Sequence, residues 1–130
     1  MHPYIALITL LTVLLLMATL IMVGRARGRY GIKAPATTGH EGFERIFRVQ
    51  GNTQEAALMF LPALWVAAEF GAVWLAATLG ALWLLGRVWY VLAYANPARS
   101  RAMPFTVAGL ANVVLVAQGL WGVIWTFVLA

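Results

Sequence analysis

Arg48, Asn52 and Glu55 follow one another at spacings of four and three residues. At about 100° per residue, a helix places all three within roughly 60° of one another. A second set, Arg87, Tyr90 and Tyr94, is spaced three and four residues apart and forms a stripe of its own. Guanidinium groups grip carboxylates through paired hydrogen bonds, and a carboxylate such as Glu55 can take an ammonium group. Arginines, one carboxylate, an amide and phenols together suit a small ligand carrying both anionic and cationic groups. The structural alternative is that Arg48 and Glu55 snorkel to lipid headgroups or pair with each other while the tyrosines form an interfacial belt. A charge at a helix centre costs about 2.5 to 3.5 kcal/mol on insertion scales, so Glu55 and Arg87 are expected to face protein or a wet cavity.

Composition dictates the elements that must carry these stripes. Of 130 residues, 63% are hydrophobic and 10% charged, with a mean hydropathy of +0.86. A soluble fold of this size buries only about 60 to 70% of its unfolded surface, so lipid must be the solvent. A hydrocarbon core about 30 Å thick needs roughly 20 residues per crossing, and four crossings nearly exhaust the chain as a single domain. The spans are expected at about 4–24, 43–69, 71–95 and 105–129.

The first span, Tyr4 to Gly24, is uncharged and ends against Arg25, Arg27 and Arg29. A signal peptide is the competing reading, opposed by the length of the apolar run and the lack of a basic leader or small-residue cleavage pattern. Gly31 to Gly42, with Pro35, Thr37 and Thr38, reads as a polar loop. The second span has a polar first half and contains Pro62, which should bend it. Glu69, Phe70 and Gly71 form the expected hairpin turn, and Ala72, Ala76 and Gly80 present a small-residue face for close packing. Asn96 and Pro97 should end the third helix.

The nine Lys and Arg residues lie from Arg25 to Arg48 and from Arg87 to Arg101, against four acids in the whole chain. The positive-inside rule puts both basic loops in the cytoplasm and both termini on the opposite face. The formal charge of +5 would suggest nucleic acid in a soluble protein, but here it marks orientation. There is no cysteine, so any thiol chemistry must use a thiol from elsewhere. His2 and His40 have no partner at metal-ligand spacing, and no metal site is expected. Asn112 and Gln118 are expected to make interhelical hydrogen bonds.

The run Thr37-Thr38-Gly39, then Phe43-Glu44-Arg45-Ile46-Phe47-Arg48-Val49-Gln50, Asn52, Glu55 and Leu64-Trp65-Val66-Ala67, resembles the membrane-associated proteins in eicosanoid and glutathione metabolism, the MAPEG family. The series Arg87, Tyr90, Tyr94 and Arg101 resembles the same family, nearest its glutathione transferase and leukotriene synthase branch. The resemblance implies an all-α, left-handed four-helix transmembrane bundle assembling as a homotrimer, with glutathione as co-substrate between adjacent subunits near the cytoplasmic face. It places glutathione contacts on Arg27, Arg48, Gln50, Asn52, Glu55, Tyr90 and Tyr94, and thiol activation on Arg101. The implied activity is transfer of glutathione thiolate to lipophilic electrophiles, with peroxide reduction as a further activity of the same thiolate. The expected setting is a bacterial inner membrane.

The chain departs from the leukotriene synthase pattern at Ala56, where that branch has a tyrosine, and at Gly28, where it has an arginine proposed as proton donor. Those departures motivate an alternative, a non-catalytic lipid-binding scaffold of the same family. A small multidrug exporter is a third class. Such exporters resemble one another in carrying a glutamate in the first helix, and Tyr4 to Gly24 contains no acid.

Overall fold

The computed structural model describes residues 1–96 and 100–130; Pro97 and Arg99, read above as helix stop and loop cation, lie outside the described residues. The described chain is four helices, α1 (Pro3–Tyr30), α2 (Glu41–Phe70), α3 (Val73–Ala95) and α4 (Ala102–Leu129). The chain is an all-α integral membrane protein: α1, α3 and α4 are each long and apolar enough to cross a bilayer. Helix α2 is as long but mixes Glu44, Arg45, Arg48, Gln50, Asn52, Gln54 and Glu55 into its first half.

Buried positions recur every three or four residues. They include Ile5, Ile8 and Thr12, then Thr19, Val23 and Ala26 one heptad on, along α1, Thr53, Ala57, Phe60, Leu64 and Ala67 on α2, and Ala108, Ala111 and Leu115 on α4. A repeat near 3.5 residues is the spacing of left-handed bundles, because it keeps one seam facing its neighbour along the whole helix. Helix α2 touches the other three helices, whereas α1 and α4 do not touch each other among the described residues. Where α2 meets α3, Phe60 and Trp83 stack with centroids 3.8 Å apart and planes 3° from parallel. The opposite faces expose Leu7, Leu10, Leu14 and Met17 on α1 and Leu110, Val113, Leu120 and Phe127 on α4, as surfaces solvated by acyl chains do.

Small residues set how closely the helices approach. A side chain at Gly80 would meet Leu64 and Ile8, and one at Gly122 would run into the Phe70 backbone. The expected stripe on α3 therefore packs at Ala76 and Gly80, while Ala72 is exposed and serves as N-cap.

Helix ends differ from expectation by local chemistry. Helix α1 continues to Tyr30, beyond Gly24, because its arginines are good helix formers, and it stops at Gly31 in the left-handed conformation with φ 67°. The hairpin turn moves from Glu69–Gly71 to Gly71 and Ala72, since α2 runs through Pro62 and on to Phe70. Gln118 ties this corner down by donating to the carbonyls of Ala72 at 2.8 Å and Ala67 at 3.4 Å. Asn112 departs from its expected interhelical bond: its Oδ1 is buried without a partner among the described residues. Both histidines are helix N-caps, His2 Nδ1 accepting from the Tyr4 N–H and His40 Nδ1 from the Gly42 N–H.

Candidate functional site

The antiparallel succession of helices brings the end of α1, the start of α2, the end of α3 and the start of α4 to one end of the bundle, where the described cations gather. A cavity of about 610 Å³ opens there, lined by Arg48 and Asn52 from α2, Tyr90 and Tyr94 from α3, and Arg101, Ala102 and Phe105 at the head of α4. Five of the eight site residues read from the sequence thus converge. A smaller cavity of about 240 Å³ shares Arg48, Tyr94 and Arg101 and adds Glu41, Glu44 and Arg45.

Several lining side chains have an identifiable support. Asn52 Nδ2 donates to the Tyr90 hydroxyl at 3.0 Å, joining α2 to α3. Tyr90 and Tyr94 sit one turn apart with ring centroids 5.5 Å apart, and both are buried. Arg101, exposed at the N-cap of α4, lays its guanidinium carbon 4.1 Å from the Tyr94 ring centroid, a cation–π contact that brings its charge to the cavity wall. Arg48 is exposed and makes no ion pair; among the described residues the one ion pair is Arg45 to Glu41 at 3.3 Å. The Arg48–Glu55 pairing that the spacing allowed does not form.

Three site residues lie elsewhere on the single chain. Arg27 donates to the Ala36 carbonyl at 2.8 Å and lies 5.0 Å from the Phe43 ring centroid, bracing the first loop. Gln50 faces a groove of about 340 Å³ between α1 and α2, with Gln54, Val13, Leu16, Met17, Thr19 and Leu20. Two residues beyond Arg48, Gln50 sits about 200° round the helix and cannot share its cavity. Glu55 is exposed and outside the cavity lining, so on one chain it faces neither protein nor a wet cavity as expected.

Arg87 does follow its expectation of burial. It is 3% exposed, donates from Nη2 to Thr53 Oγ1 at 3.1 Å, and lies 4.0 Å from the Tyr90 ring centroid. Sequence reasoning missed Thr53, which reads as one more small residue on the buried seam, and Phe105, which reads as the start of a span. The latter had a signal, since it lies one turn beyond Arg101 on the same face. Among the described residues no three His, Asp or Glu side chains gather closely enough to hold a metal ion.

The arrangement offers two guanidinium groups, an amide and two phenols around a space large enough for a peptide-sized anion. Arginines there would hold carboxylates or a thiolate, and phenols would donate to developing negative charge.

The model of the MAPEG family matches residues 5–121. An uncharacterized protein of Synechocystis sp. is 46% identical over 120 residues, covering 92% of this chain and 88% of its own. The leukotriene C4 synthase of Bos taurus is 37% identical over 120 residues, covering 92% of this chain and 80% of its own. The microsomal glutathione S-transferase 2 of Homo sapiens is 30% identical over 107 residues, covering 82% of this chain and 73% of its own.

Proposed function

This chain belongs to the MAPEG family, and from that premise we propose that it is a membrane glutathione transferase that adds glutathione thiolate to lipophilic electrophiles drawn from the bilayer. The observation that carries the reading is the convergence of Arg48, Asn52, Tyr90, Tyr94 and Arg101 on one cavity at the basic end of the bundle. Arg48 takes a carboxylate of glutathione and Asn52 a peptide group. Arg101 faces the sulfur. Free thiols titrate near 8.5, and a guanidinium beside one lowers that value, so more thiolate is present at neutral pH. The thiolate then attacks the electrophilic carbon, forming the C–S bond as a leaving group departs or an epoxide C–O bond opens. Alternatively it attacks a peroxide oxygen, breaking the O–O bond to give the sulfenic acid of glutathione, which a second glutathione converts to the disulfide and water. The tyrosine hydroxyls donate to the departing anion or alkoxide.

The working unit in this reading is a homotrimer with the site between subunits. Arg48 and Gln50 point to opposite sides of α2, so a glutathione lying between two chains can meet the arginine of one and the glutamine of the next. In this reading Arg27 and Glu55, which lie outside the cavity of a single chain, meet the ligand held by a neighbouring chain. Helix α2 completes the set of four crossings from the interior of that assembly, where its polar first half is sheltered from acyl chains. The basic end faces the cytoplasm, both termini face the other side, and the setting is a bacterial inner membrane with a role in detoxification.

A second reading, a non-catalytic lipid-binding scaffold, draws on Ala56 and Gly28. A side chain at Gly28 would meet no atom within 4 Å, so packing does not explain the missing arginine. Isothermal titration calorimetry with glutathione at millimolar concentration, beside titration with a fluorescent fatty acid, separates the two. Glutathione heat with a thiolate absorbance is the expected result. Fatty-acid binding with no glutathione heat would replace the transferase by the scaffold.

A further inference from the structure

We propose that Arg87 is a positioning residue that acts through Tyr90, holding the phenol so that its hydroxyl donates to the sulfur of the bound thiol; this rests on the glutathione reading above. Arg87 does not line the cavity. It lies behind Tyr90, 3% exposed, with its guanidinium carbon 4.0 Å from the ring centroid and Nη2 donating to Thr53 Oγ1 at 3.1 Å. Its Nε is buried with no hydrogen-bond partner among the described residues. No carboxylate answers the charge, since the one ion pair among the described residues is Arg45 to Glu41. Less than two turns towards the membrane interior, the same two helices are filled by Phe60 stacked on Trp83. An apolar side chain of similar volume in place of Arg87 would avoid both the buried charge and the unmet N–H. Packing therefore does not account for a guanidinium here, and what remains is what it touches.

Tyr90 is held at two points. Arg87 presses on the face of its ring, an attraction strengthened by desolvation, and Asn52 donates to its oxygen at 3.0 Å. An oxygen that accepts from Asn52 keeps its own hydrogen to give. Tyr90 lines the cavity that also holds Arg48 and Arg101. Hydrogen bonds weaken steeply with misalignment, so freeing the ring face would degrade the donor without removing it. Thr53 completes the clamp by tying Arg87 to α2, the helix that carries Arg48 and Asn52.

The chain has four tyrosines, so fluorotyrosine labelling gives few resonances and Tyr90→Phe assigns the one of interest. In ligand-free protein, Arg87→Met is expected to move and broaden the Tyr90 resonance, and Arg87→Lys, which keeps a cation, to restore most of it. With glutathione and chlorodinitrobenzene, Arg87→Met is expected to lower kcat about tenfold, the loss of one desolvated cation–π contact. The KM for glutathione should change less than about threefold, because Arg87 does not touch the ligand. In the Tyr90→Phe background the same substitution should cause no further loss of turnover, since both changes act on one hydroxyl. Arg87→Gln, which keeps a donor for Thr53 without the charge, carries the same readouts if the methionine variant does not fold. An unmoved Tyr90 resonance, or a loss of turnover that persists undiminished in Tyr90→Phe protein, overturns the proposal. A moved resonance in protein that binds no glutathione supports the clamp and overturns the glutathione reading instead.

Discussion

The Asn52 amide donates to the Tyr90 hydroxyl at 3.0 Å across 38 residues of sequence, and this bond joins the two polar stripes into one site. It fixes the register of α2 against α3 at the depth of the cavity. A neutral hydrogen bond contributes about 0.5 to 1.5 kcal/mol, so Asn52→Ala is expected to lower unfolding free energy by about 1 kcal/mol. Tyr90→Phe removes the same bond, and the double variant should lose little more than either single one. Denaturant unfolding in detergent micelles measures all three. Strictly additive losses would mean that the two groups do not share a bond.

Arg48 is the cation of the cavity most available to a ligand carboxylate, being exposed and outside any ion pair among the described residues. A charged hydrogen bond contributes about 1.5 to 3 kcal/mol, and 1.4 kcal/mol is tenfold in affinity. Arg48→Ala is expected to weaken glutathione binding at least about tenfold by calorimetry. Unchanged affinity in a correctly assembled variant would move the carboxylate contact to another residue.

Much of this was legible in the sequence, and the reasons are physical. Lipid demands continuous apolar helices, so the runs ending at Gly24 and Leu85 announce themselves whatever they pack against. Helical spacing places Arg48 with Asn52, and Tyr90 with Tyr94, without knowledge of the fold. What spacing cannot supply is which stripe faces which. The Asn52–Tyr90 and Arg87–Thr53 bonds depend on hairpin register, which the two-residue turn at Gly71 and Ala72 sets. Glu55 shares its helix face with Arg48 yet lies outside the cavity lining, because proximity on one helix does not put two residues against the same neighbour. Gln50 entered the expected site only through family resemblance, and it lies on the far side of α2 from Arg48, in a groove against α1.

Close packing at the turn gives a test with a built-in control. A Cβ at Gly122 would meet the Phe70 carbonyl, which is backbone and cannot swing aside, whereas one at Gly109 would meet nothing within 4 Å. Overpacking costs about 1 to 3 kcal/mol, and alanine is about 1 kcal/mol better than glycine within a helix. Gly122→Ala should lower the melting temperature of the purified protein, and Gly109→Ala should leave it unchanged or raise it. Equal shifts in the two variants would show that α2 and α4 approach less closely than this.

Orientation follows from charge and is open to direct measurement. A reporter fused after Ala130 should lie outside the cytoplasm and one inserted at Gly39 inside it. Gly39 is in the exposed first loop, so an insertion there disturbs no helix. Alkaline phosphatase and fluorescent-protein fusions at the two positions read the outcome, and reversed activities would invert the bundle and put the cavity on the other face.

Substitution of Arg101 tests whether binding and activation come apart. Its guanidinium rests on the Tyr94 ring, 4.1 Å from the centroid, at the cavity wall beside Tyr90. If it faces the sulfur while Arg48 and Asn52 hold the peptide, removing it withdraws a charge-assisted hydrogen bond from the thiolate but leaves the carboxylate grip intact. The sign follows from charge. A cation stabilises the thiolate and lowers the thiol pKa, so its loss should return that pKa towards about 8.5 and shrink the ionised fraction at neutral pH. Arg101→Ala is therefore expected to keep glutathione affinity within about threefold while losing most turnover at pH 7, with partial recovery as the pH approaches the free thiol value. Thiolate absorbance in the ultraviolet, recorded as glutathione is added to wild type and variant, measures the ionised fraction without any electrophile. Equal thiolate signals would assign activation to the hydroxyls of Tyr90 and Tyr94. A variant that lost affinity and turnover together, with no recovery at alkaline pH, would make Arg101 a binding residue.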